Sequence, residues 1–193
     1  MTSPSLDRQL RDLYEAVRAD VRERWQRELP LDEMIFDRQA RAAAMGFGVE
    51  ASIYHNSYVY GDVQVGDHTW IGPFTILDGS GIIRIGRYCS ISSGVQIYSH
   101  DTVRWAVSGG ACPYERAPVV IGDCCHIGSQ TVIAKGVNIG DHAVVGACSF
   151  VNRDIPSRAI AVGAPCRVIG RVVGDGEDVR FEYGQAEAGP EHP

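Results

Sequence analysis

The most constraining feature of this sequence is a six-residue repeat between positions 121 and 155. An aliphatic residue recurs at every sixth position, and most of these residues are followed directly by glycine: Ile121, Ile127, Ile133, Ile139, Val145 and Val151. A fixed period is the signature of a repeat architecture, and six matches neither the helical period of 3.6 nor simple strand alternation. The repeat predicts a solenoid in which three hexads form one triangular coil. Each aliphatic side chain points to a shared axis, and stacked coils bury a core that no single repeat could bury.

The same repeat begins earlier in the chain and is interrupted twice. Its aliphatic positions before residue 100 are Ile53, Val59, Val65, Ile71, Leu77, Ile85, Ile91 and Ile97. The register slips by two residues at Asp78-Gly79-Ser80-Gly81, which predicts a small loop expelled from the coil. A longer interruption over residues 99–118 predicts an inserted loop, and loops held by a rigid scaffold are where functional residues collect.

The two ends of the chain depart from the repeat. Residues 5–28 carry apolar side chains at three-to-four spacing, which predicts an amphipathic helix, and a second helix is expected over 32–45. We therefore expect a helical cap over 1–46 and a solenoid over 47–167. Alternation over 168–183 predicts a closing hairpin, and the composition of 184–193 predicts a disordered tail.

Composition excludes several classes of function. A formal net charge of −6 argues against a nucleic-acid or anionic membrane surface. The sequence contains no apolar run long enough to span a membrane, and its first residues lack the pattern of a signal peptide. The six cysteines form no C-x-x-C pair, so reduced thiols in a cytoplasmic protein are expected.

Taken together, the hexads, the loop that opens with His100 and the closing segment GAPCRVIG resemble the hexapeptide-repeat acyltransferases. Within this class the chain is most similar to acetyl-CoA-dependent O-acetyltransferases of the maltose, galactoside and Nod-factor type, and to their relatives in surface-polysaccharide gene clusters. The resemblance spans about residues 46–171. It implies a mainly β fold, a left-handed parallel β-helix, here with N-terminal α-helices and a C-terminal hairpin. It also implies a homotrimer with active sites between subunits.

Acetyl transfer from a thioester to an alcohol needs a base that takes the hydroxyl proton, and a histidine suits this role near neutral pH. His100 matches the family's catalytic histidine, so we expect it to be the general base. Asp101 could orient its imidazole, although a solvated loop charge is an equally simple interpretation. Cys89 and Cys125 occupy the small inward position of the hexad, which favours inert packing over a covalent acyl-enzyme, so direct attack is expected.

The resemblance also implies positions that bind acetyl-CoA and an acceptor. The expected cofactor-binding residues are Ser129, Ala147, Asn152, Arg153, Arg167 and Arg171. The arginines among them would face phosphates. Asp78 could contact a sugar hydroxyl, and the aromatic faces of Trp105 and Tyr114 could contact a sugar ring. The stretch from Trp70 to Phe74 lacks the asparagines of the maltose-type enzymes, so the resemblance does not identify the acceptor.

Three alternatives follow from the sequence. An N-acetyltransferase acting on an amino-sugar nucleotide or an antibiotic amine would use the same reaction. A metal enzyme would need convergent histidines, and His55, His68, His126 and His142 do not form the close pair found in β-helix carbonic anhydrases. A scaffold with a decayed site is disfavoured by His100 and the terminal arginines. The sequence therefore predicts an O-acetyltransferase that uses acetyl-CoA and a saccharide acceptor, without a metal.

Overall fold

A computed structural model describes residues 5–184 as a parallel β-helix preceded by one long and two short helices. The helices are α1 (Leu6–Trp25), α2 (Leu31–Ile35), α3 (Arg38–Ala44) and α4 (Val103–Val107), with a 3-10 turn at Gly176–Asp178. The first strands are β1 (Ser52–Ile53), β2 (Tyr58–Val65), β3 (Trp70–Ile71), β4 (Ile76–Ile85), β5 (Ser90–Ile91), β6 (Gln96–Tyr98), β7 (His100–Asp101) and β8 (Glu115–Arg116). The others are β9 (Val119–Ile121), β10 (His126–Ile127), β11 (Val132–Ile133), β12 (Asn138–Ile139), β13 (Val144–Val145), β14 (Phe150–Val151), β15 (Ala159–Val162), β16 (Arg167–Val173) and β17 (Arg180–Tyr183).

The strands stack in parallel register on three faces of the helix. The first face is built from β1, β3, β5, β10, β13 and β15. The second face contains the first halves of β2 and β4, then β6, β11 and β14, and the third contains their second halves with β9 and β12. We call the turn between the first and second faces the first corner, and the turn between the second and third faces the second corner.

The repeat aliphatics form one continuous core, as the sequence predicts. All but one of these positions are buried, including Ile71, Ile97 and Ile133 at 0% exposure, and Val59 is partly buried against the same cluster. Removing such a side chain from water contributes roughly 1.5–3 kcal/mol. Burial on all three faces explains why the hydrophobic period is six, since each face of a coil contributes one inward side chain.

The glycine that follows many repeat aliphatics allows successive coils to approach closely. A Cβ atom built on Gly128 would lie 2.4 Å from the backbone nitrogen of Ala147 in the next coil. One built on Gly122 would lie 2.2 Å from a carboxylate oxygen of Asp141, which accepts a hydrogen bond from the Asp123 nitrogen at 2.8 Å. Any side chain at these glycines would push the coils apart.

The register slip at residues 78–81 does not expel a loop, so that prediction was wrong. β4 continues through the slip, and the two additional residues are absorbed as a bulge opposite Gly61 and Val63 of β2. The backbone polar groups of the bulge find partners, since Ser80 N donates to the Asp78 carboxylate at 3.0 Å and Gly81 N donates to Ser99 Oγ at 2.7 Å. The extra residues therefore remain part of the coil.

The N-terminal segment also differs from its prediction. The single helix expected over 32–45 is divided, because Phe36 is extended and the Asp37 carboxylate caps α3 by accepting from the nitrogens of Gln39 and Ala40. α3 packs on the first coil through Ala42, which is 0% exposed. α1, described over its whole length, has no buried residue. None of the helices within residues 5–184 has the length and apolarity needed to cross a membrane.

The chain ends in antiparallel strands. β15 pairs with β16, and β16 pairs with β17 around the 3-10 turn. Arg158, at the corner before β15, donates to Gly174 O at 2.8 Å and so ties this hairpin to the last coil. The tail expected over 184–193 lies, apart from Gly184, outside the described residues.

Candidate active site

The inserted loop leaves the solenoid and returns to it at one point on the second corner. Ser99, which is fully buried, donates through Oγ to Asp78 O at 2.6 Å and accepts from Gly81 N at 2.7 Å. Its carbonyl accepts from Ala117 N at 2.9 Å. The two ends of the loop are therefore in contact, and the residue that follows Ser99 is fixed against the preceding coil.

That residue is His100, whose imidazole lies against Asp78. Nδ1 is 3.3 Å from Asp78 Oδ2, close enough for an ion pair, but the alignment leaves the buried Nδ1 without a formed hydrogen bond. The His100 side chain is 25% exposed, and this exposure lies on atoms other than Nδ1. Hydrogen bonds in catalytic sites are often long before substrate binds. The ring therefore has one nitrogen directed at a carboxylate and another edge available to a ligand.

Asp78, expected to contact substrate, thus lies beside the imidazole. Its other oxygen, Oδ1, accepts from Ser80 N at 3.0 Å and from Ser80 Oγ at 2.5 Å, so the bulge holds the carboxylate in place. Tyr60 and Tyr98 flank Asp78 in register on the neighbouring strands. Burial and the charge of Asp78 raise the pKa of Tyr98, which keeps its hydroxyl protonated.

Asp101, expected to orient His100, is bound to a lysine instead. Its Oδ2 lies 2.5 Å from Lys135 Nζ, and its Oδ1 accepts from Val103 N at 3.1 Å. The same Lys135 lies 3.1 Å from Glu115 Oε2 on the returning strand of the loop. The hydrogen bonds from Lys135 lower the pKa of both Asp101 and Glu115. Asp78 therefore has the position beside the imidazole that the sequence analysis gave to Asp101.

The two aromatic residues expected to bind substrate lie together on the loop. The rings of Trp105 and Tyr114 meet edge to face, with centroids 5.4 Å apart. Their side chains are about two-fifths exposed, at 42% and 43%. α4 and the turn after it present this pair on the outside of the loop, where apolar ring faces are open to a ligand.

Four of the six expected cofactor residues are divided between the two corners, and the other two, Arg167 and Arg171, lie on β16. Ser129 and Ala147 lie at the first corner in adjacent coils, and Ser93 Oγ of the preceding coil is 3.4 Å from Ser129 Oγ. These small side chains leave backbone accessible along the stacked turns. Asn152 and Arg153 lie instead at the second corner, on the column of turns that also carries His100 and Lys135.

The two terminal arginines differ in their partners. Arg167, beside the cis peptide between Ala164 and Pro165, donates to Cys166 O at 2.8 Å and faces no carboxylate among residues 5–184. Arg171 donates to a single oxygen, Glu182 Oε2, from Nε at 2.7 Å and from Nη2 at 2.6 Å. Arg167 and Arg153 are thus available to an anionic ligand, whereas Arg171 is engaged within the hairpin.

The thiols at the inward positions are buried. Cys89 and Cys125 are each 2% exposed and contact carbonyl oxygens of the next coil, Gly122 O and Gly140 O, both at 3.1 Å. The neighbouring Cys89 sulfur and burial raise the pKa of Cys125, so it is a poor nucleophile. Within residues 5–184, no three histidine, cysteine or carboxylate side chains are placed to share a metal ion.

Sequence reasoning missed Lys135, Tyr60 and Tyr98. Lys135 is the only lysine of the chain, a signal that could have drawn attention to it. Tyr60 and Tyr98 directly follow the repeat aliphatics Val59 and Ile97 and so face outward at the corner. Stacking the hexads coil by coil would have placed them on either side of Asp78.

Part of the chain matches a known family of repeat proteins. Residues 118–153 match the bacterial transferase hexapeptide family (six repeats). The galactoside O-acetyltransferase of Escherichia coli is 34% identical over 125 residues, which are 54% of this chain and 62% of the relative, so the match spans less than two thirds of that protein.

Two solved structures share the fold. A hexapeptide-repeat acetyltransferase of Vibrio cholerae, crystallised with acetyl coenzyme A, is 27% identical with a TM-score of 0.62, and the match covers 91% of this chain and 93% of that one. A variant of AntD, an N-acyltransferase of Bacillus cereus crystallised with dTDP and coenzyme A, is 24% identical with a TM-score of 0.58, covers 69% and 88%, and supports the fold alone. Residues 118–153 therefore carry the bacterial transferase hexapeptide repeat, and the chain as a whole is similar to hexapeptide-repeat acetyltransferases.

Proposed function

We propose that this protein is an acetyl-CoA-dependent O-acetyltransferase that acetylates a hydroxyl group of a saccharide or a saccharide-containing metabolite. The observation that carries the proposal is the pairing of His100 with Asp78 at the root of the inserted loop, with Nδ1 and Oδ2 3.3 Å apart. The family and the solved relative that carries acetyl coenzyme A support the reaction class.

In the proposed mechanism, His100 acts as general base. The Asp78 carboxylate favours a proton on Nδ1, which leaves Nε2 free to accept the proton of the acceptor hydroxyl. The hydroxyl oxygen then attacks the thioester carbonyl carbon and forms a tetrahedral intermediate. When this intermediate collapses, the carbon–sulfur bond breaks, and the imidazolium returns its proton to the departing thiolate of coenzyme A. Neither a covalent acyl-enzyme nor a metal takes part.

Acetyl-CoA would lie along the stacked coils, with its pantetheine arm against the small side chains of Ser129 and Ala147. Arg153 and Arg167, whose guanidinium groups face no carboxylate among residues 5–184, would pair with its phosphates, beside Asn152. Arg171 would add less, because its pair with Glu182 at 2.7 Å already occupies it.

The acceptor would bind beside His100 against aromatic faces. Tyr60 and Tyr98 flank Asp78, which lies beside His100, and Trp105 and Tyr114 are exposed on the loop that His100 opens. Rings of this kind stack on sugars, while their hydroxyls bond sugar hydroxyl groups. This arrangement supports a saccharide acceptor.

The active assembly is proposed to be a homotrimer with each site between two subunits. The division of candidate residues between two corners supports this arrangement, because the first corner of one subunit could face the second corner of its neighbour. Ser129 and Ala147 would then bind the cofactor that reacts beside His100 of the adjacent subunit. Sedimentation of the purified protein tests the assembly.

The reaction is tested by incubating the protein with acetyl-CoA and a panel of hydroxyl and amino saccharides while measuring release of free thiol. We expect turnover with hydroxyl acceptors. Turnover confined to amines would replace the proposal with an N-acetyltransferase, the activity described for AntD on the same fold. Absence of thiol release with every acceptor, in a folded and assembled protein, would refute both.

A further inference from the structure

We infer that Lys135 is a positioning residue that fixes His100 by clamping both strands at the base of the inserted loop. The inference rests on the proposed function for its catalytic part. Lys135 lies on the second corner of the coil that follows the loop, 34 residues beyond the Asp101 carboxylate that it binds. The role assigned here is to hold the base, not to touch the reacting atoms.

The geometry joins one cation to both strands of the loop base. β7 and β8 pair antiparallel, with His100 opposite Arg116 and Asp101 opposite Glu115. Lys135 Nζ lies 2.5 Å from Asp101 Oδ2 and 3.1 Å from Glu115 Oε2. The ammonium group therefore links Asp101, next to His100, with Glu115, which lies opposite Asp101 in the strand pair.

The charges explain why this link matters. Asp101 and Glu115 are like charges directly across a strand pair, which is destabilising unless a cation lies between them. Lys135 supplies that cation, and its own pKa is raised by the hydrogen bonds to Asp101 and Glu115. Arg104 contacts Glu115 alone at 3.2 Å from a side chain that is 69% exposed, so it cannot bridge the two strands.

His100 is consequently held from two sides. Asp78 of the preceding coil contacts its ring, and Lys135 of the following coil anchors the neighbouring Asp101. Among the ion pairs of residues 5–184, those of Lys135 are the ones that join the loop to the following coil. Releasing this anchor would let the imidazole move relative to the thioester, and a displacement of about 1 Å can cost on the order of 100-fold in rate.

The test compares Lys135→Met, which removes the charge and keeps the length, with Lys135→Arg, which keeps the charge. We expect Lys135→Met to lower kcat about 10- to 100-fold, with the KM for acetyl-CoA within about threefold. Lys135→Arg should recover most of kcat. Arg104→Met, the matched control, removes the cation that contacts only Glu115 and should leave kcat within about twofold. An unchanged kcat in Lys135→Met, or a failure of Lys135→Arg to recover it, would overturn the inference.

Hydrogen exchange provides a readout that does not depend on activity. In Lys135→Met, amides of residues 99–118 should exchange at least about tenfold faster, while amides of the coil cores keep their protection. Glu115→Gln, which removes one of the two anchor points, should give a smaller acceleration. Unchanged loop protection would overturn the clamp even in an active enzyme. Faster loop exchange in a protein whose wild type transfers no acetyl group would retain the clamp and refute the proposed function instead.

Discussion

The two corners that bound the second face of the β-helix have opposite chemistry. At the first corner, successive turns present the small side chains of Ser93, Ser129 and Ala147, and the hydroxyls of Ser93 and Ser129 lie 3.4 Å apart. At the second corner, the turns present Asp78, His100 and Lys135 and are joined by ion pairs from coil to coil. One corner therefore presents small side chains and the other presents charged ones, as the proposed cofactor and catalytic sites would require.

The comparison shows that the repeat determines where side chains point and leaves the outward residues free to differ. The inward aliphatic residues next to these corners are buried in the same core, as Ile97 and Ile133 show at 0% exposure. Outward positions a few residues away carry either small or charged groups at no cost to that core. The chemistry of a coil can thus change without a change in its fold.

The largest expected effect comes from removing the proposed base, His100, at the second corner. His100→Asn should lower kcat about 1,000-fold, because an amide cannot accept the hydroxyl proton and a general base contributes roughly 100- to 10,000-fold. Thiol release from acetyl-CoA measures the effect, and the thermal unfolding profile should match wild type. Undiminished turnover in a folded protein would assign the base elsewhere.

The next effect comes from the carboxylate beside that base. Asp78→Asn should lower kcat about 30-fold, because the neutral amide no longer favours the required tautomer of His100 or stabilises its protonated form. Asp62→Asn is the matched control, since Asp62 is exposed and contacts only Gln64. Equal activity of the two variants would show that Asp78 has no orienting role.

A smaller effect is expected from the arginine that closes the chain's last coil. Arg167→Ala should raise the KM for acetyl-CoA about fivefold with little change in kcat, because a free guanidinium pairs with phosphate through charge-assisted hydrogen bonds. Arg171→Ala, which disrupts an existing pair with Glu182, should raise it less. A larger increase in KM for Arg171→Ala than for Arg167→Ala would place the phosphates of acetyl-CoA beside Arg171 instead.

The smallest expected effect is a release of the loop in acid. Lys135 holds the pKa of Asp101 and Glu115 below their ordinary values near 4. A carboxyl whose folded pKa is lowered contributes its stabilisation fully above the ordinary value and loses it as the pH falls through the lowered one. The loop should therefore stay docked at neutral pH and detach only at pH values below about 4.

Tryptophan fluorescence can follow this detachment. In a chain with Trp25 and Trp70 replaced by Phe, the signal of Trp105 should change below about pH 4 and stay constant above it. In the same background, Lys135→Met should show the acid signal already at neutral pH. A transition centred near neutral pH would assign the loop's stability to another group.

The sequence predicted the interior of this molecule better than its surface. The six-residue period alone predicts the inward aliphatics, and the interruption of that period predicts the loop that opens with His100. The slip at Asp78 was mistaken for a loop because its glycines and serine have turn chemistry, whereas Ser99 Oγ, 18 residues away from Gly81, satisfies the backbone at 2.7 Å. The partner of Asp101 could not be predicted from the sequence. Side chains meet at a corner when they occupy equivalent positions in successive coils, and the inserted loop changes the number of residues between those positions.

The contact between Ser99 O and Ala117 N, at 2.9 Å, has a consequence for how such proteins diversify. A segment that starts and finishes at the same place can be exchanged for one of another length while the rest of the molecule keeps its shape. Exchanging residues 100–116 between relatives should then transfer acceptor preference, provided that the recipient scaffold has a lysine at the position of Lys135 to bind the new segment.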